Sequence, residues 1–323
     1  PAGIEWPTKS ELISFAFFDH EGEGLFRTQL GIRKSADAAL VLNAAPVALV
    51  HHPNLDRVPV YGLIPGVPPA SPEELALLES LTLVEGVVAE LGPGAAGPGI
   101  NVGWLSVRMP ADAPAATFLV GRLSNAGEIV GSFRMDATGQ TDPLGPLYEM
   151  AVPAPVGSSV LDVALANAGG ALHVEKFDLS FQAEDGPFMT PVYGGASVSR
   201  QPEAAAGEPF IFGGYHLGVR PDGRYLKGES LALFCLLVVP EAEVAARMGT
   251  VRIRWYIDGK ATPVQPSQPA QFSPAGASTW VWGTQLPLEN LSPESRYELK
   301  ITIKDTGSGA SSTTKLPVIF TKD

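Results

Sequence analysis

The chain has 323 residues, 45% of them hydrophobic and 17% charged, enough apolar material for two or three separate cores. Its formal charge of -12, with no runs of Lys or Arg, excludes general binding to a phosphate backbone, so nucleic acid is not an expected partner. Gly 35 and Pro 30 fill about a fifth of the chain, a level that speaks for many turns between short strands.

The first 111 residues read as an irregular β-rich domain. SELISFAFFDHEGEGLFRTQLGIRKS gives two strands about a Gly-rich turn, and AALVLNAAPVALVHHPNLDRVPVYGLI continues in short runs broken by Pro46, Pro53 and Pro59. A helix near 72–80 follows from Ser71 as N-cap, Pro72 at the first helical position and Glu74 three residues after the cap. LTLVEGVVAELG fits a helical extension and a strand equally, and GPGAAGPGI reads as a linker or exposed loop.

Residues 112–190 read as a β-sandwich. ATFLVGRLSNAGEIVGSFRMD predicts a hairpin around Asn125-Ala126-Gly127. The segment from Val152 to Phe181 has a Pro-containing corner, an alternating strand, a Gly-rich turn and a closing strand, and can be laid over LPLENLSPESRYELKITIKDTGSGASSTTKLPVIF, Leu286 to Phe320, as a second copy of one unit. Glu184-Asp185, beside Gly186-Pro187, falls at the hinge between the last two domains.

Residues 191–323 are the most regular part, six or seven β-rich runs separated by Gly, Pro, Asn and Asp, as in a sandwich of antiparallel sheets. In RYELKITIKD, Tyr297, Leu299, Ile301 and Ile303 share the core face, and Glu298, Lys300, Thr302 and Lys304 share the solvent face. In TVRIRWYIDGK, Val251, Ile253 and Trp255 point to the core, with Asp258-Gly259 as the reversing turn. PEAEVAARMG predicts a short helix from Pro240 to a cap at Gly249. LALFCLLVV at 231–239, the longest apolar window, has the length of a strand and falls well short of the roughly 20 residues a membrane-spanning helix needs. The fold class expected is all-β: tandem immunoglobulin-like antiparallel β-sandwiches with one or two short helices.

Leu291, Pro293 and Tyr297 in LSPESRYELKI resemble the L-x-P-x-x-x-Y run of fibronectin type III and related immunoglobulin-like sandwiches, in which the tyrosine hydroxyl bonds back to the corner. Ile253-Arg254-Trp255 resembles the strand that carries the buried Trp of such folds. Cys235 has no partner, since Leu299 stands two residues after Tyr297, so the resemblance is to the disulfide-free branch. Residues from about 112 to 323 also resemble the β-sandwich tail of exported bacterial proteins with GWxTD modules or acidobacterial von Willebrand factor A-related modules. The GWxTD motif itself is absent: Gly103-Trp104 continues Leu-Ser-Val and Trp282-Gly283 continues Thr-Gln. This resemblance implies an exported binding or structural domain array and no activity.

Residue types that carry chemistry are sparse. His51-His52 with Asp56 are the nearest approach to a metal-ligand cluster, but adjacent histidines on a strand point to opposite faces. Asp19, Glu21 and Glu23 in DHEGEG concentrate carboxylates without the EF-hand pattern, and an acidic turn accounts for them. Asp305 to Gly309 likewise reads as a hairpin turn. No G-x-S-x-G elbow, G-x-G-x-x-G or Walker loop occurs, so no catalytic residue and no cofactor are expected. Cys235, in an apolar run, reads as a buried inert thiol. Trp280 and Trp282 share a strand face and are the one aromatic binding platform on offer, against a core role that their alternation favours.

The expectation is therefore a non-enzymatic structural or protein-binding subunit of an exported, periplasmic or extracellular assembly. Its partners would be other subunits or copies of itself, with the missing initial Met read as signal removal. The alternative is a carbohydrate-binding or accessory module of an extracellular hydrolase, which would need exposed coplanar aromatics.

Overall fold

Period-2 alternation becomes strand after strand in the computed structural model, which describes residues 11–18, 24–34, 40–43, 68–80, 84–95, 101–154, 157–181, 187–201, 208–239, 247–263, 266–276, 278–289, 291–292 and 295–320. Near the start, β1 (Glu11–Phe18), β2 (Gly24–Lys34) and β3 (Leu40–Asn43) form an antiparallel sheet in that order. The expected helix follows as α1 (Pro72–Leu75), continued as a 3₁₀ turn over Ala76–Glu79. The Ser71 hydroxyl accepts from the Glu74 amide and the Glu74 carboxylate accepts from the Ser71 amide, a complete capping box.

The first sandwich has β4 (Val88–Ala95), β5 (Asn101–Arg108) and β8 (Leu147–Pro153) in one sheet. Facing it is the sheet β10-β9-β6-β7, from β6 (Phe118–Asn125), β7 (Glu128–Asp136), β9 (Gly157–Asn167) and β10 (Gly170–Phe181). With β7 as the extra strand C′, the layers read A-B-E against G-F-C-C′, an immunoglobulin-like order. Leu105, Val107, Met150 and Val152 meet Leu119, Leu123, Leu161, Val163 and Leu165 between them. Ala126 (φ 50°) and Gly127 (φ 87°) make the expected two-residue hairpin turn. Leu78 and Ala70 cover the outer face of the β10-β9-β6-β7 sheet at Val120, Ala164 and Ala171.

The boundary expected at 111/112 therefore runs through a folding unit: β5, before it, pairs with β8, after it, from Val102↔Pro153 to Arg108↔Leu147. The undecided LTLVEGVVAELG ends in strand from Val88, and part of the expected linker, Gly92 to Ala95, belongs to that same strand.

The second sandwich opens with β11 (Phe188–Met189), β12 (Tyr193–Arg200), β13 (Ile211–Phe212), β14 (Tyr215–Val219), β15 (Arg224–Tyr225) and β16 (Ser230–Val238). It continues with β17 (Arg247–Ile257), β18 (Lys260–Ala261), β19 (Gln268–Pro274), β20 (Thr279–Pro287), β21 (Tyr297–Asp305) and β22 (Ser311–Phe320). One layer is β12-β16-β20, widened by β14 and β13; the other is β17-β21-β22, and β19 pairs with both β17 and β20. These are again A-B-E and C-F-G, so the two segments laid over each other in the sequence occupy equivalent F and G positions. The backbone amide of Ser292 donates to the Tyr297 hydroxyl at 2.7 Å, which is the expected tyrosine corner. Leu299, Ile301 and Ile303 are fully buried, whereas Trp255 is half-buried against Tyr297. Of the expected helix at 240–249, Arg247 to Gly249 start strand β17 and residues 240–246 lie outside the described residues.

Candidate functional site at the joint between the sandwiches

β16 is buried on both faces, which is why LALFCLLVV is apolar without alternation. Leu231, Leu233, Cys235 and Leu237 point into the second sandwich, while Ala232, Phe234 and Leu236 point at the first. β5 does the same from the other side: Leu105 and Val107 face its own core, and Val102 and Trp104 face the neighbour. The β4-β5-β8 and β12-β16-β20 sheets thus pack on each other, and the sheets stack in four layers.

Trp104, 1% exposed, is the centre of this contact. Its ring lies 5.6 Å from Tyr193, 5.4 Å from Phe210 and 5.4 Å from Phe212, the last edge-on at 84°. Phe210 has φ 55°, a left-handed conformation costly for a bulky residue, and the turn that imposes it brings the ring onto Trp104. The glycines of β4 answer the same need. A Cβ on Gly92 would overlap the Tyr193 hydroxyl, and one on Gly94 would overlap the Trp104 indole. The Gly-rich run is in a strand because side chains lie directly on its backbone, Tyr193 of the other sandwich on Gly92 and Trp104 of the neighbouring strand β5 on Gly94. Tyr193 then donates its hydroxyl proton to the Pro93 carbonyl at 2.7 Å.

Beside the rings runs a buried charged cluster. Asp142, in the loop between β7 and β8, accepts from Arg108 of its own sandwich at 2.6 Å and from Arg220 of the other. Arg220 also binds Glu229 at 2.6 Å, and Arg108 lies 3.5 Å from Asp222. The two guanidinium groups are 4% and 3% exposed, so each needs these partners. Burial alone would raise the Asp142 carboxyl, but hydrogen bonds from Arg220 and the Leu144 amide, with the charges of Arg108 and Arg220, hold it below the usual range. Glu149 of β8 is held by His216 at 2.7 Å, by Gln140 at 2.7 Å and by the Val219 amide at 3.3 Å.

Glu90, Tyr193, Arg220, Tyr225 and Lys315 line a cavity of about 60 Å³ at the rim of this contact. That is room for a few waters, against the roughly 300 Å³ or more of a metabolite site. Glu90 is exposed as a residue, yet the protein gathered around its carboxylate removes enough water to push it up to about 7.

The sequence-derived candidates lie elsewhere. Asp19, Glu21, Glu23, His51, His52 and the Glu184-Asp185 pair lie outside the described residues. Trp280 and Trp282 are 2% and 5% exposed in the second core, so they form no platform; the alternation that put them on one face put them on the buried one. Cys235 is fully buried and burial raises its thiol far above the usual range. Asp305 ends strand β21 and is more than a turn residue: fully buried, it accepts from Arg247 at 2.7 Å and from the Ser308 amide at 2.7 Å. Among the described residues no His, Cys, Asp and Glu side chains gather as a metal site, and no helix is long and apolar enough to cross a membrane. The joint itself went unread in the sequence, although two signals for it were present: a strand apolar at every position, and glycines inside a strand.

No protein-family model matches the chain, and no curated protein matches it. Among solved structures it is similar to a chimeric titin Z1Z2-Z1Z2 tandem functionalized with a GRGDS exogenous peptide from fibronectin, at 14% identity over 68% of this chain and 90% of that one. The TM-score is 0.18, too low to carry an argument, so the immunoglobulin-like assignment rests on the strand order and the tyrosine corner.

Proposed function

We propose that the chain is a non-catalytic structural or protein-binding subunit of an exported assembly, in the manner of the GWxTD-module and von Willebrand factor A-related proteins whose sandwich tails residues 112–323 resemble. The supporting observation is the joint. Arg108, Asp142, Arg220, Glu229, Glu149 and His216 are charged or titratable groups of the kind that perform chemistry elsewhere, and here they are buried or half-buried and bound to one another around the joint of the two sandwiches. That arrangement holds one module at a fixed angle to the next, which a load-transmitting or scaffolding element needs and a hinged enzyme does not. The carbohydrate-binding reading depended on exposed Trp280 and Trp282 and is dropped with their burial. Purification of the native protein after mild cross-linking, followed by mass spectrometry, is expected to recover the chain with a stoichiometric protein partner or with itself. Recovery only as a lone monomer would overturn the reading, and fractionation of whole cells tests export directly.

A further inference from the structure

The face of β17-β21-β22 turned away from the core carries Arg252 and Arg254 on β17, Lys300 and Lys304 on β21, and Lys315 on β22, with Glu298 as its acid. Alternation puts them there, because Val251, Ile253, Leu299, Ile301 and Ile303 take the core side. Register then aligns three of them across the sheet: Arg254 stands opposite Lys300, and Lys300 opposite Lys315. Adjacent members of this row are about 4.8 Å apart at the backbone, and like charges directly opposite one another weaken a sheet. The sheet offsets part of this repulsion, with Arg254 and Lys315 lying over the Tyr256 ring at 5.5 and 5.7 Å, and leaves Lys300, at the centre of the row, with no ion pair among the described residues.

Glu298 binds Lys315 at 2.9 Å, leaving Arg252, Arg254, Lys300 and Lys304 with no ion pair among the described residues. The Arg254 guanidinium is held by the Thr262 carbonyl and that of Arg252 by the Ser267 hydroxyl, so both are positioned before any partner arrives. Arg252 and Lys304 are exposed, and the Lys315 side chain is 60% exposed.

The matching charge is in the same chain. Residues 68–181, which hold the first sandwich, contain thirteen Asp and Glu against four Lys and Arg. Glu73, Glu85, Asp112, Glu128 and Asp178 are exposed there, with no ion pair among the described residues. Within one molecule the two surfaces approach only at the rim of the joint, where Lys315 and Glu90 line one cavity; the joint otherwise uses the inner layers and leaves Arg252, Arg254, Lys300 and Lys304 on the outward face of the second sandwich. We propose that the basic face of one copy docks on the acidic first sandwich of the next, head to tail. The inference rests on the assembly reading above and names its partner. Such a contact is heterologous and generates open chains unless its rotation closes a ring.

Sedimentation velocity of the full chain in about 20 mM and about 300 mM salt tests it, since exposed charges are screened across that range. The wild type is expected to form concentration-dependent oligomers at low salt that disperse at high salt. The combined Arg254→Glu, Lys300→Glu and Lys315→Glu variant is expected to raise the association midpoint by about tenfold or more, given the worth of exposed pairs. The Gln versions at the same positions, which keep side-chain length without reversed charge, should fall between. Because the reversed variant retains its acidic sandwich, adding it to wild type should cap the chains and shift them toward dimers. A wild type monomeric at both salts, or a reversed variant that associates like wild type, would overturn the docking. So would capture of monomeric wild type by an acidic polysaccharide resin with no self-association. If a different protein co-purifies with wild type and reversed variant alike while neither self-associates, only this docking falls and the assembly reading stands.

Discussion

Replacing Gly92 by alanine adds one methyl group to β4 where the Tyr193 hydroxyl of the other sandwich rests on it. The new Cβ overlaps that oxygen and lies 3.0 Å from ring carbons Cε1 and Cζ. β4 is held on its other side by the ladder to β5, with Gly92 opposite Trp104, so relief must come from Tyr193. Moving Tyr193 breaks its hydrogen bond to the Pro93 carbonyl. Overpacking of this kind costs about 1–3 kcal/mol, less about 0.5 kcal/mol from stiffening of the unfolded chain. Tyr193→Phe alone removes the hydroxyl and leaves the Pro93 carbonyl without that donor, a loss of about 1–2 kcal/mol. In the double variant the methyl group enters space the hydroxyl has vacated, and the hydrogen bond is lost only once. The two single losses should therefore exceed the double loss by at least about 1 kcal/mol, with the unfolded-chain contribution cancelling in the cycle. Urea unfolding of the four proteins, followed by tryptophan fluorescence at unchanged m-value, measures this. Additive losses, or a neutral Gly92→Ala, would mean that Tyr193 does not bear on β4 and that the sandwiches are not packed as described.

Asp142→Asn keeps the shape of the buried cluster but leaves Arg108 and Arg220 facing each other, and should cost about 3–5 kcal/mol in chemical denaturation; a loss under about 1 kcal/mol would refute the ion-pair account of the joint. Burial would raise the Asp305 carboxyl, but hydrogen bonds from Arg247 and Ser308 bring it down to about 2, below its usual value near 3.9. Its contribution, on the order of 1–2 kcal/mol, is present above about pH 4 and lost as pH falls through about 2, so the advantage of wild type over Asp305→Asn should vanish by then. A difference constant from neutral pH into acid would contradict this. Glu90 is shifted the other way: its folded form holds the proton more tightly, so ionisation opposes folding as pH rises from about 4 through about 7. Glu90→Gln should raise the melting temperature at about pH 8 and leave it unchanged at about pH 4, and the reverse pattern would sink the argument.

The legible parts of this fold are those whose cause is local. The capping box of Ser71 and Glu74, the hairpin at Ala126-Gly127 and the faces of β21 each follow from a few adjacent residues. The tyrosine corner reaches five residues and was legible for the same reason. The joint was not, because its causes are far apart in sequence: Pro93 with Tyr193, and Asp142 with Arg220. Gly92 to Ala95 reads as a linker by composition, because a strand glycine marks a close approach without naming the group that approaches. Trp280 and Trp282 illustrate the opposite limit, for alternation shows that two side chains share a face and leaves open which face is wet.

The stacking order also constrains where a function can reside. Cutting the chain at 111/112 would remove strands A and B from the first sandwich, and cutting between 181 and 187 would leave Trp104 on one piece and Tyr193, Phe210 and Phe212 on the other. Either piece would expose an apolar sheet face that the intact protein buries, a condition that favours aggregation over independent folding. Binding surfaces must accordingly be sought where substitution leaves the stack intact. Among the described residues that means the loops and the two outermost layers, one rich in acids around α1, Glu128 and Asp178, the other basic along Arg254, Lys300 and Lys315. Opposite charge at opposite sides of a stiff stack orients each molecule against its neighbour before contact, since steering depends on the charge distribution rather than the net charge of -12.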